Sequence, residues 1–564
     1  LTEPALPAIR LMNSQKVEKR LIEDGFVQSS LRHGAHILRN ATYFEVRRSD
    51  GRKSTIEPPA LLYETVGKGC SCRVDVILAG VNVDWDALTE LRARSDLPDE
   101  ELTPETISAA YARISRNPLS VDTLRRLSRG EVEKARRSNT TIVFDMGHSS
   151  IAEHAVFNID ILGASRLAVE FIEAFRLASY TEKSQRYIRL DDDFVIAEEI
   201  RRAGLSDIFT DTIRAQNALY RDLYEAIRHH LFSCENGLEE NPERRSLLEG
   251  SAKEDARYIL ALATESQLGM TVNARTLELM LRRAAAHRLA EVREYGRKLY
   301  SATRPVAPSL IRYTEATDFD RYTARALREE ADRIMGTEGI DERSARRSDS
   351  VALVKATDEG DELILASLLS QASGRSLEEC LNRTRRLPLE EKKALVIAAC
   401  GCMEAYDAPP RSFEMADLTF EIIMSASCFA QMKRHRMATI INGDYDPSLG
   451  VTLPETIREA GMEEPFKEMI DRTNHVYDRI LAALPDAAPY ILTNAHRKRV
   501  LVKVNIRELY HMARLREDRH SQWDIRNRVA AMVALARQVM PLSLMFACGK
   551  DAFQDVKRRC VAPS

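Results

Sequence analysis

Three stretches of this chain concentrate the side chains that bind or stabilise negative charge. The first is Arg176-Leu-Ala-Ser-Tyr-Thr-Glu182-Lys-Ser184-Gln-Arg186-Tyr187, which mixes guanidinium, carboxylate and hydroxyl groups with little helical periodicity. A guanidinium is a planar fork of donors that matches phosphate, and Ser184 adds a short donor beside Arg186. A charged surface loop has the same composition, so composition leaves both readings open. The second stretch, Gln431-Met-Lys-Arg434-His435-Arg436, follows an apolar run from Leu418 to Phe429 that reads as a helix. Such a cluster suits an anionic ligand or a developing negative charge. The alternative is a solvated basic helix end, favoured by the helix dipole.

The third stretch is His148-Ser-Ser150-Ile-Ala-Glu153-His154, leading into the apolar run Ala155 to Leu162. Glu153 and His154 could cap an element or touch a ligand. A helical zinc pair needs histidines four apart, and these stand six apart, so no metal is expected. Nine cysteines, an odd and sparse count, do not form a disulfide framework. The pairs Cys70/Cys72 and Cys400/Cys402 are tighter than a zinc knuckle and read as structural thiols. Arg497-Lys498-Arg499 precedes the alternating Val500 to Val504 and reads as an exposed strand end.

The elements that must position these groups are spread over 564 residues, room for two to four domains. Hydrophobic residues make up 44% and charged residues 30%, an ordinary globular balance. The 82 basic and 85 acidic residues nearly cancel, which argues against a nucleic-acid partner. No apolar run approaches the roughly 18 residues of a membrane span, and no signal-peptide core opens the chain. A cytoplasmic protein with no membrane partner is expected. Residues 1–71 read as an extension. A strand is expected at Val74 to Ala79, then a helix from near Asp84, with helical periodicity around 101–137, 207–232 and 284–300. A second strand start, Val351 to Ala356, follows a charged stretch that reads as a linker or exposed helix. The expected organisation is therefore an extension at 1–71, a domain at 72–320, a linker at 321–349 and a domain at 350–564.

Landmarks of the first domain recur in the second. Val74 is echoed by Val351, the segment ending Arg176-Leu-Ala-Ser by Arg436-Met-Ala-Thr, and Asn273-Ala-Arg275 by Asn505-Ile-Arg507. From Arg176 to Arg275 the spacing is 99, and from Arg436 to Arg507 it is 71. A diverged duplication with an insertion of 28 residues around 190–250 accounts for the difference.

At these residues the sequence resembles the flavin-dependent thymidylate synthases (ThyX). Their pattern runs H-x-S-x-x-E-H, a helix, R-H-R, seven residues and S-x-R-Y. The first half matches His148, Ser150, Glu153, His154, Ser165, Arg166, Arg176, Glu182, Ser184, Arg186 and Tyr187, but has Phe171, Ala174 and Phe175 at the glutamine and the first two triplet positions. The second half matches Gln431, Arg434, His435 and Arg436, with Glu414 as the glutamate, but lacks the upstream histidine and has Asp444 in place of serine. Downstream, Asn505-Ile-Arg507-Glu-Leu-Tyr-His511 and Gln522-Trp-Asp524-Ile-Arg526 follow the family's C-terminal pattern.

The resemblance implies an α+β fold of two tandem domains, each a small, mostly antiparallel sheet with long helices. It implies reductive methylation of dUMP to dTMP, with FAD, NADPH and methylenetetrahydrofolate and without a cysteine nucleophile. By the resemblance, Ser150, Glu153, Glu182, Arg434, His435, Arg436 and Asp524 would hold FAD, and Gln431, Ser184, Arg186 and Arg507 would hold dUMP. Arg434 would also stabilise charge in the reaction. The family's last-helix arginine falls at Ala534, leaving Arg537, or Lys298 in the first half, as the candidate catalytic cation. Family sites are shared between subunits. Unlike halves pairing in a homodimeric pseudo-tetramer would complete two sites, whereas like halves would complete none. The complementary losses favour the first arrangement. A non-catalytic flavin- or nucleotide-binding regulator or scaffold is the alternative.

Overall fold

The computed structural model describes residues 74–93, 103–186, 193–235, 241–336 and 351–561, together with an antiparallel pair of strands, β1 (Phe44–Arg47) and β2 (Lys53–Ile56). Cys70, Cys72, Tyr187 and most of the 1–71 extension lie outside the described residues. The chain divides into two compact units whose sequences interleave. The first comprises Leu1–Asn217, Ala261–Thr337 and His475–Ile491, and the second Ala218–Leu260, Glu338–Asn474 and Leu492–Ser564.

Each unit is built on a four-stranded antiparallel sheet. In the first unit, β3 (Asp75–Val81), β4 (Val156–Ser165), β5 (Ala178–Glu182) and β6 (Glu265–Asn273) lie in the order β3-β4-β6-β5. In the second unit, β7 (Val351–Ala356), β8 (Asp417–Ser425), β9 (Thr439–Tyr445) and β10 (Arg497–Asn505) lie in the matching order β7-β8-β10-β9. The helices used below are, in chain order, α1 (Arg166–Ile172), α2 (Ser206–Ser233), α3 (Pro242–Ala256), α4 (Ala274–Ala285), α5 (Ala290–Thr303), α6 (Asp318–Met335), α7 (Ala426–Met432), α8 (Glu463–Leu481), α9 (Ile506–Arg516) and α10 (Trp523–Val539).

Alternation explains the strands and their register. Along β4, Phe157, Ile159 and Ile161 point inward beside Leu268, Met270 and Val272 of β6, and the α4 and α5 residues Leu277, Leu281, Tyr295 and Leu299 cover them. The second core repeats this plan with Phe420, Ile422 and Met424 against Val500, Val502 and Val504, under Met512, Val529 and Met532. Each such burial contributes roughly 1.5–3 kcal/mol, and a one-residue slip would turn the whole set to solvent. The strand-to-helix switches after β4, β6, β8 and β10 are each made by a capping side chain. Ser165 and Ser425 Oγ accept from the Ala168 and Cys428 amides, each at 3.0 Å, and Asn273 and Asn505 cap α4 and α9 in the same way. These caps free the short helices from relying on length for stability.

Two expectations are corrected. Leu418 to Phe429 is not a helix: β8 occupies 417–425 and α7 begins only after the Ser425 cap. Its β-branched Thr419, Ile422 and Ile423 suit a pleated strand, and burial of consecutive residues near its end removes the polar alternation that marks a half-exposed strand. Arg497 and Lys498 are not an exposed strand end, since both are buried and β10 begins at Arg497. The Lys498 ammonium lies over the Phe429 and Tyr445 rings, 4.3 and 3.9 Å from their centroids, and Arg497 Nε donates to Thr452 Oγ1 at 2.9 Å. The extra length between β5 and β6 goes into α2, longer than its counterpart α8, and into α3.

Candidate functional site

The turn after α7 sorts the second unit's triplet by burial: Arg434 and Arg436 are exposed on either side of a buried His435. Two exposed guanidiniums two residues apart can grip one anion. The imidazole between them is fixed from both sides. Arg516, at the end of α9, donates from Nε to His435 Nε2 at 3.0 Å, so the ring proton sits on Nδ1, which faces Glu508 Oε1 at 3.5 Å. Burial lowers the affinity of His435 for a second proton, opposed by Glu508. The same Arg516 donates from Nη2 to the Gln431 carbonyl oxygen at 3.3 Å, tying the end of α7 to the triplet.

Gln431 continues inward. Its Nε2 donates to Gln522 Oε1 at 3.3 Å, Gln522 Nε2 donates to the Tyr258 hydroxyl at 2.9 Å, and that hydroxyl donates to Asp524 Oδ2 at 3.1 Å. Ser425 Oγ donates to the same carboxylate oxygen at 2.6 Å. Tyr258 comes from the 218–260 segment, which belongs to this unit. Burial pushes Cys428 well above its usual range, Cys400 up to about 12 and Cys548 up to about 11.

The first unit keeps the framework and changes the lining. Ser165 Oγ and the Tyr490 hydroxyl donate to Glu291 Oε2 at 2.7 and 2.6 Å, the arrangement that Ser425, Tyr258 and Asp524 make in the second unit. Phe175, however, is buried where the other triplet has His435. It packs edge-on to Phe171 at 5.4 Å, and Phe171 contacts the His287 ring at 4.8 Å. Burial, with the charges of Arg288 and Arg293, holds His287 down at about 4. Of the guanidinium pair, only Arg176 is left beside Ala174.

The structure links Gln431 to Asp524 through Gln522 and Tyr258 and to His435 through Arg516, with Arg434 and Arg436 exposed on either side of His435. Arg507 lies at the start of α9, donating to the Pro409 carbonyl oxygen at 2.8 Å and pairing with Glu414 at 3.2 Å. Arg537 is 13 residues beyond Asp524 on α10, about 20 Å along the helix, and donates to the Ala547 carbonyl oxygen. In the first unit, Glu182 is buried in an ion pair with Arg166 and accepts from Ser266 Oγ at 3.1 Å. Ser184 Oγ accepts from the Arg186 amide at 3.2 Å, pinning the turn after β5. Glu153 is paired with Arg275 at 2.5 Å, Ser150 is exposed in the same short helical stretch, and Lys298 is paired with Asp75. Arg516 and Tyr258 were missed from sequence. Arg516 sits in the charged run Arg514 to Arg519 and looks like a solvated helix end, and nothing in Tyr258-Ile-Leu marks its unit.

The family comparison decides the chain's kinship. The model of the family described as thymidylate synthase complementing protein matches residues 97–309 and 352–542. The chain belongs to this family. A UPF0159 protein of Chlamydia muridarum is 24% identical over 402 residues, covering 68% of this chain and 75% of its own. A flavin-dependent thymidylate synthase of Clostridium tetani is 29% identical over 215 residues, 37% of this chain and 82% of its own. Among solved structures, a UMP/dUMP methylase of Streptomyces cacaoi bound with 5-Br dUMP aligns at a TM-score of 0.30 and 14% identity, over 43% of this chain and 94% of its own. Among the described residues, no helix is long and apolar enough to cross a membrane.

Proposed function

We propose that this protein is an FAD-dependent thymidylate synthase of the cytoplasm, converting dUMP to dTMP with methylenetetrahydrofolate as one-carbon donor and NADPH as reductant. The observation that carries this reading is the exposed pair Arg434 and Arg436 held around a buried His435, with Arg516 bonded to both His435 and Gln431. Two guanidiniums on a rigid turn fit the pyrophosphate of FAD, and neither is drawn into the core. Bound there, FAD would supply the hydride that completes the methyl group. Arg516 faces the Gln431 side of the network and would stabilise negative charge developing on the pyrimidine, the task the sequence offered to Arg537. His435 stays neutral because Arg516 occupies its Nε2, so it orients the arginines and donates no proton to substrate. Raised thiols agree with a route that needs no cysteine nucleophile.

Ser184 and Arg186 suit the phosphate of dUMP, and Arg507 the nucleotide as well. In the second unit the corresponding residues are Asp444 and Asp446, whose charge repels phosphate, and Asp446 Oδ1 already caps the Ser448 amide at 2.8 Å. The two halves, 72–320 and 350–564, are read as a duplication that has kept phosphate grip in one copy and flavin grip in the other. Two chains pairing unlike halves would then form complete sites. The buried Glu182 is a poor flavin ligand in this reading.

The test is the visible spectrum of the full chain incubated with FAD and desalted, followed by dTMP formation with dUMP, NADPH and methylenetetrahydrofolate. A retained flavin band and dUMP-dependent dTMP are expected. A colourless protein sinks the synthase. The second reading, a non-catalytic regulator or scaffold, is favoured by Phe171, Ala174 and Phe175 in the first unit, and a bound flavin without dTMP would select it.

A further inference from the structure

We infer that Gln522 is a positioning residue that fixes the Gln431 amide with its carbonyl oxygen toward the ligand, and so selects pyrimidines that carry a ring N–H donor. This deepens the proposed function and rests on it, since the ligand is taken to be a pyrimidine nucleotide.

The amide orientation follows from donors whose identity is not in doubt. Gln522 is the N-cap of α10, and its Oε1 accepts from the backbone amides of Asp524 and Ile525 at 3.1 and 3.2 Å. Backbone N–H groups can only donate, so that atom is the carbonyl oxygen. The third group at this oxygen, the Gln431 side chain at 3.3 Å, must therefore present its NH2. The other end of Gln522 is fixed as well. Its NH2 donates to the Tyr258 hydroxyl, whose own proton goes to Asp524, an acceptor that Ser425 also uses. Every donor in the relay is assigned, from the start of α10 outward to Gln431. With one N–H held on Gln522 Oε1, the Gln431 amide cannot flip, so its Oε1 stays the acceptor beside its second N–H, and among the described residues no side chain or backbone group donates to that oxygen.

An acceptor of fixed orientation reads a base edge. Uracil carries N3–H, a donor, whereas cytosine has an unprotonated N3, and its donor is the amino group displaced to C4. A fixed carbonyl oxygen accepts from the first and faces a lone pair on the second. An amide free to flip would satisfy either.

The first unit supplies an internal comparison. It keeps the carboxylate framework of Ser165, Glu291 and Tyr490, but Leu289 is the N-cap residue of α5 and Phe171 replaces Gln431. Both glutamines are missing where the Arg-His-Arg triplet is missing, although the structural part of the network survives. Gln522 thus goes with Gln431 and the triplet rather than with the fold.

The test compares dUMP and dCMP binding to the full chain by titration calorimetry, with circular dichroism to check folding. The central variant is Gln522→Ser, because serine still caps the helix but is too short to reach Gln431 or Tyr258. The wild type is expected to favour dUMP by at least tenfold, and Gln522→Ser to cut that preference severalfold, chiefly by losing dUMP affinity. An unchanged dUMP to dCMP ratio in a folded Gln522→Ser variant would overturn the inference and leave the synthase reading standing. A wild-type chain that binds neither nucleotide would overturn both. A wild-type chain that binds both equally would overturn the inference alone.

Discussion

Glu182 separates what residue type suggests from what the structure does with it. By family resemblance it belongs to the flavin, whereas in the first unit its carboxylate is buried against Arg166 and Ser266. Replacing it by alanine removes the bonded counter-charge of the Arg166 guanidinium, whose side chain is 7% exposed, and leaves only the more distant Glu173 and Glu170. Breaking one side of such a pair costs about 3–5 kcal/mol. At about 2 °C per kcal/mol for a unit of this size, the first thermal transition should fall by roughly 6–10 °C. The paired change Arg166→Met with Glu182→Leu should recover most of that loss, because it removes both desolvation costs along with the attraction. Differential scanning calorimetry, with and without FAD, reads both effects. A Glu182→Ala chain that melts within 1–2 °C of wild type but has lost flavin would refute the buried-pair argument and return Glu182 to the cofactor.

Four further outcomes are expected. Arg434→Ala and Arg436→Ala should each weaken FAD retention at least tenfold in gel filtration, whereas Arg176→Ala should not, because its neighbours are Ala174 and Phe175. Tyr258→Phe and Tyr490→Phe each remove a hydroxyl from a buried carboxylate and should destabilise by about 1–3 kcal/mol in urea melts, but only Tyr258→Phe should weaken dUMP binding. Burial, reinforced by Asp193, pushes Glu265 up to about 7, above its ordinary value of 4.5. Its contribution is present below about pH 4.5 and lost as pH rises through about 7, so Glu265→Gln should gain up to roughly 3 kcal/mol over wild type at pH 8 and little at pH 4, and parallel stability curves would count against it. Gly296→Ala should destabilise the first unit by about 1–3 kcal/mol in the same melts, since a Cβ there would lie 2.6 Å from the Ala284 Cβ.

Much of the frame was legible in residue order. Val351 to Ala356 gave β7 to the residue, and Val74 to Ala79 gave most of β3, because each is a short run rich in β-branched and apolar residues. Leu418 to Phe429 misled because consecutive inward and outward residues are both buried near the end of β8, which erases the period of two. The Arg434 to Arg436 triplet was legible by composition, yet its division into two exposed arginines and one buried histidine needed the turn. Arg516 acts from 80 residues beyond Arg436, and no local spacing could link them. Arg497 and Lys498 looked solvated because charge is normally outside, whereas the Phe429 and Tyr445 rings take the Lys498 ammonium and Thr452 takes the Arg497 guanidinium.

The interleaving of the two units has a consequence during synthesis. The first unit includes His475–Ile491, which leaves the ribosome 138 residues after Thr337, the end of that unit's preceding stretch. At roughly 5–20 residues per second, the delay is on the order of ten seconds. Throughout it, Glu291 waits without the Tyr490 hydroxyl that donates to its carboxylate in the finished unit. The nascent first unit must therefore remain incomplete while most of the second is translated, and a chaperone that shelters emerging chains has its longest task there.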